Sequence, residues 1–249
     1  MISPSLYENP LATLTQTLAN DKSKGLFKTN KKLEVIAPKV EAVGDYIEGE
    51  QIMRHLESAI RTAYKSEEKI GPGSAEKILS HILSLKHEST LEHFAMTFRV
   101  TTCRGVTHEI VRHRVGHSFT QESTRYVNYG KRPPQVVMPW HLLDRSDEDK
   151  AFWLKGQRAT MGFYQEAIKR GWVPQDARGF LQNDLKTEIV WTMNLRAARH
   201  MCSLRVPPSA HPDMQVIARE ICSIWYQKVP LLFQDLQTQI ESRYKKETA

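Results

Sequence analysis

Between Arg112 and Tyr126 the chain reads RHRVGHSFTQESTRY, which gathers Arg112, Arg114, Arg125, His113, His117 and several hydroxyl and amide side chains. Groups of this kind bind anions. Guanidinium forks pair with phosphate oxygens through two parallel bonds, and each charge-assisted bond contributes about 1.5–3 kcal/mol. Two or three such contacts fix a phosphate without a glycine-rich loop, and the chain contains neither GxGxxG nor GxxxxGK[ST]. The bland alternative is a solvated charged loop. Against it, an apolar helix precedes the segment and Tyr126 and Tyr129 close it, which puts it near the core. Zinc fits poorly, because His108 and His113 are five positions apart and diverge by about 140° around a helix. Cys103, Cys202 and Cys222 are widely spaced, so they read as reduced packing thiols rather than as a disulfide set or a nucleophile. Ser123 has the chemistry of a nucleophile, but its hydroxyl suits a hydrogen bond to phosphate better.

These residues need a frame. LEVIAPKV (33–40) is aliphatic and β-branched and predicts a first strand, with Gly44 and Asp45 as the turn after it. From Gly49, Ile52, Leu56, Ile60 and Tyr64 recur at helical spacing. A Gly-Pro-Gly turn at 71–73 leads to a helix capped by Ser74 and carrying Ile78, Ile82 and Leu85. FAMTFRVT (94–101) alternates strictly and predicts a strand with Phe94, Met96, Phe98 and Val100 inward. A short helix over 105–113 follows. The prolines of KRPPQ precede another extended piece, VVMP. Ser146, with Asp149 three residues on, caps a long helix bearing Phe152, Ala159 and Phe163. Helices are predicted over 184–203, over 212–227 with Met214, Ile217, Ile221 and Trp225 inward, and over 229–243. The class is α+β, a small antiparallel-type sheet flanked by helices. Residues 1–32 read as a loose extension and 33–249 as one catalytic domain.

The chain has 249 residues, 40% of them hydrophobic, and 35 Lys+Arg against 28 Asp+Glu give a net charge of +7. That length buries a core of one domain. No apolar run approaches the roughly 20 residues of a membrane helix, and the start lacks the pattern of a secretory leader, so a cytoplasmic protein is expected. The positive balance suits an anionic partner, either nucleic acid or a phosphorylated small molecule.

RHR, a short spacer and S-x-R-Y resemble the signature of the flavin-dependent thymidylate synthases, which are distinct from the cysteine-dependent enzyme. HESTLEH (87–93) resembles that family's segment ahead of a strand. Ala177-Arg178, WTMNLRAARHMCSLR (191–205) and Gln215 to Arg219 resemble its later blocks, in the same order. The resemblance covers roughly 33–243 and implies methylation of dUMP at C5, with methylenetetrahydrofolate giving the carbon, NADPH the electrons, and FAD passing hydride. It further implies a homotetramer with shared sites; no nucleic acid or membrane partner is expected.

By the same resemblance, FAD contacts fall on His87, Ser89, Arg112, His113, Arg114, Gln121, Asn194, Leu195, Arg196 and His200. The dUMP site falls on Glu109, Ile110, Val111, Arg112, Gln121, Glu122, Ser123, Thr124, Arg125, Arg178 and Arg205. Arg205 is assigned to polarising the uracil. Physical chemistry supports that role, since the ring becomes a carbon nucleophile only where negative charge on it is stabilised, and arginine stays cationic in any pocket. Arg178 and Arg205 could instead be ordinary salt-bridged helix residues. Departures from the family pattern include eight residues between Arg114 and Ser123 where seven are common, Thr90 and Leu91 in HESTLEH, and Gln182 in place of a proline. Glu109 would repel a phosphate unless an arginine intervenes. The altered 115–122 loop leaves open another one-carbon modification of dUMP, such as hydroxymethylation, and the charge leaves open a non-catalytic nucleic-acid-binding protein.

Overall fold

The computed structural model describes residues 33–44 and 47–247. The expectations for residues 1–32 and for Asp45 lie outside the described residues. The centre is a four-stranded antiparallel sheet built from β2 (Lys39–Ala42), β3 (Ala95–Cys103), β4 (His117–Gln121) and β6 (Lys186–Asn194) in the order β2-β3-β6-β4. A separate parallel pair joins β1 (Glu34–Ile36) to β5 (Gln135–Val137). The single strand expected over 33–40 is thus two strands in different sheets. Pro38, which has no N–H for a ladder, falls at the break between them.

The eight helices among the described residues are α1 (Gly49–Tyr64), α2 (Ser74–Ser84), α3 (Arg104–Ile110), α4 (Asp147–Lys169), α5 (Pro174–Ala177), α6 (Leu195–Arg205), α7 (Pro212–Lys228) and α8 (Pro230–Glu247). Met96, Phe98 and Val100 of β3 and Ile189, Trp191 and Met193 of β6 form one buried sheet face. Ile52, Leu56 and Ile60 of α1, Leu79 and Ile82 of α2, and Met214, Ile217, Ile221 and Trp225 of α7 pack in the same core. Full burial of such side chains stabilises by roughly 1.5–3 kcal/mol each. No described helix is long and apolar enough to cross a membrane.

The helix expected over 184–203 is a strand followed by a helix. Thr187, Ile189, Trp191 and Met193 alternate inward along β6, and only after Asn194 does the period become helical. The helix expected over 105–113 ends at Ile110. The presumed 115–122 loop contains β4, whose His117, Phe119 and Gln121 lie on the core side opposite Met193, Trp191 and Ile189. Ser74 is not a cap. It is the first residue of α2, and its hydroxyl accepts from Gly71 N–H and donates to the buried Glu57, which Arg61 also holds at 2.8 Å. Tyr64, Leu85, Phe152 and Phe163 are exposed. On α4 the inward residues are Leu154, Gln157, Met161, Tyr164 and Ala167, while Ser146 caps as expected by accepting from Asp149 N–H at 3.1 Å.

Candidate active site

Two strand-to-helix passages position the cluster. β3 turns directly into α3, which carries Glu109, and β6 turns directly into α6, capped by Asn194, whose Oδ1 accepts from Ala197 N–H at 2.8 Å. At about 1.5 Å per residue the eleven residues of α6 run roughly 16 Å. Its far end, Arg205, meets α3. The link between the two halves is Gly116, whose carbonyl accepts from Asn194 N–H at 3.1 Å. Gly116 has φ +75°, and a Cβ there would lie 2.7 Å from Asn194 Nδ2 and 2.9 Å from the Ala197 Cβ. Only glycine meets both conditions.

Arg205 donates from Nη1 to Glu109 Oε2 at 2.9 Å and from Nε to His113 Nε2 at 3.1 Å. The carboxylate that would repel an anion is therefore countered by an arginine. His113 is buried, its ring stacked on Trp191 at 6.1 Å and tilted against His117 at 5.5 Å. His117 Nδ1 in turn accepts the Trp191 indole N–H at 2.8 Å. Burial, and then the charges of Arg205, His117 and His200, push the pKa of His113 down to about 4; burial and then His200 do the same for His117. Both rings are neutral at pH 7.

Beside this unit lies a cleft of about 360 Å³ lined by Glu88, Glu92, Val115, Asn194, Arg196, Ala197 and His200. A second, of about 410 Å³, shares Glu88 and Arg196 with it and adds His87, Ser89, Lys86 and the apolar Ile60 and Ile82. Cofactor sites typically span roughly 300–1,000 Å³. Glu92 is paired with Arg196 at 2.5 Å and Glu88 lies 3.7 Å from Arg199, so both carboxylates are countered. Apolar walls with exposed donors from His87, Ser89, Arg196 and His200 suit a flat aromatic group that carries phosphates. Asn194 lines the first cleft with its carboxamide oxygen committed to the helix cap. Ile110 and Leu195 are fully buried, backbone included.

The rest of the expected set is looser. Gln121 donates into the protein, to Thr107 at 2.9 Å and Thr187 at 3.3 Å. Glu122 accepts from Tyr129 at 3.0 Å and from Lys186 at 3.2 Å. Ser123 Oγ accepts from Arg125 N–H, Thr124 is buried, and the Arg125 guanidinium lies over the ring of Tyr126. Val111, Arg112, Arg114 and Arg178 are exposed, and these three arginines form no ion pair among the described residues. Arg178 opens a short turn after α5 and is not joined to the Arg205 unit by any hydrogen bond. The three cysteines are buried, and burial raises the pKa of the Cys103 and Cys202 thiols. Among the described residues no group of three or more His, Cys, Asp or Glu is placed to hold a metal ion. Sequence reasoning left His117, Val115 and Trp191 without roles, although the alternation of His117, Phe119 and Gln121 was a readable strand signal.

A family model described as thymidylate synthase complementing protein matches residues 45–231. The chain belongs to that family. A flavin-dependent thymidylate synthase of Pyrococcus furiosus is 38% identical over 158 residues, which are 62% of this chain and 64% of the relative. One from Geobacter sulfurreducens is 31% identical over 170 residues, 68% of this chain and 72% of that one. The chain thus matches just under two thirds of the length of the Pyrococcus relative. The fold of the family is also that of a solved UMP/dUMP methylase, PolB from Streptomyces cacaoi, bound with 5-Br dUMP. That structure aligns at a TM-score of 0.68 and 22% identity, covering 82% of this chain and 97% of the other.

Proposed function

We propose that this protein is a flavin-dependent thymidylate synthase, converting dUMP to dTMP with methylenetetrahydrofolate as carbon donor and NADPH as reductant. The observation that carries the reading is the unit of Arg205, Glu109 and His113, which adjoins the Asn194–His200 cleft. Arg205, expected to polarise a pyrimidine, is bonded to His113, itself an expected flavin contact. Family membership supports the same reading. Burial of all three thiols supports it too, because a route through a cysteine nucleophile has no accessible sulfur.

The donors and apolar walls of the two clefts fit FAD. His87, Ser89, Arg196 and His200 would hold it, with Arg112, Arg114 and Asn194. Bound FAD supplies hydride transfer. The chain's own part is electrostatic. Arg205, fixed by Glu109 and His113, stabilises negative charge developing on the uracil and so raises the nucleophilicity of C5. The exposed Arg112, Arg125 and Arg178, with Ser123, are the candidates for the nucleotide phosphate. A homotetramer with shared active sites, as the family resemblance implies, completes this reading. Residues 33–249 act as one catalytic domain in the cytoplasm.

The extra residue between Arg114 and Ser123 favours one second reading, hydroxymethylation of dUMP on the same fold. Mass analysis of the product formed from dUMP, methylenetetrahydrofolate and NADPH separates the two. A methylated nucleotide is expected, and a hydroxymethylated one transfers the assignment to the second reading.

A further inference from the structure

Arg205 depends on a second layer of aromatic rings. Its Nε is tied to His113 Nε2 at 3.1 Å, its Nη1 to the Glu109 carboxylate at 2.9 Å and its Nη2 to the Glu109 carbonyl at 3.5 Å, so the guanidinium plane is set jointly by Glu109 and the His113 ring. That ring sits 6.1 Å from Trp191 and 5.5 Å from His117. Trp191 is fully buried and cannot move aside. His117 is itself fixed by three contacts: the Trp191 N–H bond at 2.8 Å, the Trp191 ring at 5.6 Å, and a near-parallel Phe119 ring at 6.1 Å.

The partners dictate both tautomers. An indole N–H only donates, so His117 Nδ1 accepts and its proton is on Nε2. A guanidinium only donates, so His113 Nε2 accepts and its proton is on Nδ1. We propose that His117 is a positioning residue for the reaction: by accepting the Trp191 N–H and packing on His113, it holds the ring that aims Arg205 at the pyrimidine. This role rests on the reading of Arg205 given above.

Protonation of His113 removes the acceptor of Arg205 and sets a cation against it, while protonation of His117 removes the acceptor of the Trp191 N–H and sets a cation beside His113. The charged and titratable groups facing the pair are Arg205 and His200 from α6 and Glu109 from α3; Trp191 is the neighbour from β6 and does not titrate. Glu109 is already engaged by Arg205. Both rings are held near a pKa of about 4, so the tie is intact at neutral pH and is lost as pH falls toward that value.

The test compares wild type with His117→Phe, which keeps a ring but loses the acceptor, and with His117→Asn, whose amide oxygen can accept the indole N–H. For His117→Phe the dTMP-forming kcat is expected to fall by about tenfold to a hundredfold, as small misplacements of catalytic groups do. KM for dUMP and flavin content should stay near wild type, and the acid limb of kcat should change from a two-proton to a one-proton slope. His117→Asn should recover most of kcat while keeping the one-proton limb. Wild-type kcat with an unchanged acid limb in His117→Phe overturns the proposal, as does a folded His117→Asn no better than His117→Phe. A readout independent of turnover is the nitrogen NMR spectrum of the histidines, where His113 should be the Nδ1–H tautomer and His117 the Nε2–H tautomer. The reverse assignment overturns the proposal whatever the activity. If the tautomers are as expected but wild type forms no dTMP, the functional reading fails instead, and the positioning role of His117 fails with it.

Discussion

Arg205 and Glu109 lie 96 positions apart in sequence and 2.9 Å apart in space. The family resemblance pointed to each of them separately, and side-chain chemistry agreed, since arginine stays cationic and a glutamate beside an anion needs a countercharge. Nothing in a single sequence says that one answers the other, since the contact exists only once β3 and β6 have paired and α6 has run back over the sheet. His117 was legible only as a member of an arginine-rich segment, and its partner Trp191 lay in what read as a helix. At this scale the account makes a sharp demand. Arg205→Ala should lower dTMP formation by about 10²–10³-fold or more, the scale for losing a preorganised charge stabiliser. The variant should remain folded, because Glu109 is 29% exposed and its freed carboxylate can be hydrated. It should also keep its flavin absorbance, since the clefts that would hold the cofactor are lined by other residues. Normal turnover would remove Arg205 from its role.

The elements divide into those whose periodicity had a single solution and those where two periods met. Met214, Ile217, Ile221 and Trp225 recur every three or four residues and all face the core, so α7 was readable. From Thr187 to Met201 a period of two passes into a helical one with no glycine or proline between them, and Asn194 is the sole punctuation, as cap. On α4 the cap and the helix were readable, but the inward face was not, because apolar character does not decide which face is inward on a helix that lies at the surface. Phe152 is 79% exposed, and Phe163 stacks instead on Phe180. The element that joins the two halves of the site is the Gly116 turn, and it can be tested by adding one methyl group. Gly116→Ala should destabilise the protein by about 1–3 kcal/mol through left-handed strain and collision with Asn194, seen as a lower melting temperature, and should weaken flavin retention. Gly156→Ala is the control, in the open middle of α4, where added helix propensity should stabilise by about 0.5–1 kcal/mol. Equal melting temperatures for Gly116→Ala and wild type would show that the turn does not need its glycine.

Across the whole molecule, Ile52, Leu79, Ala198, Met214 and Phe233 from five helices share one core with the buried face of the central sheet, while Arg99 and Glu188 pair on the opposite, more open face. The fold class was legible because composition and strand alternation are local properties. The separate parallel pair was not, because Glu34 and Gln135 are brought together only by the chain's path. The net charge of +7 is distributed unevenly in its consequences. Arg205 is held by Glu109, whereas Arg112, Arg114 and Arg178 stand exposed with no ion pair among the described residues. A nucleic-acid-binding protein would use such charges for steeply salt-dependent oligonucleotide binding and would carry no flavin. The measurement that separates these readings most directly is the visible absorption spectrum of the purified protein and its bleaching by NADPH under anaerobic conditions, with and without dUMP. A flavin spectrum that bleaches faster when dUMP is present is the predicted result. A colourless protein that takes up no added FAD would contradict it.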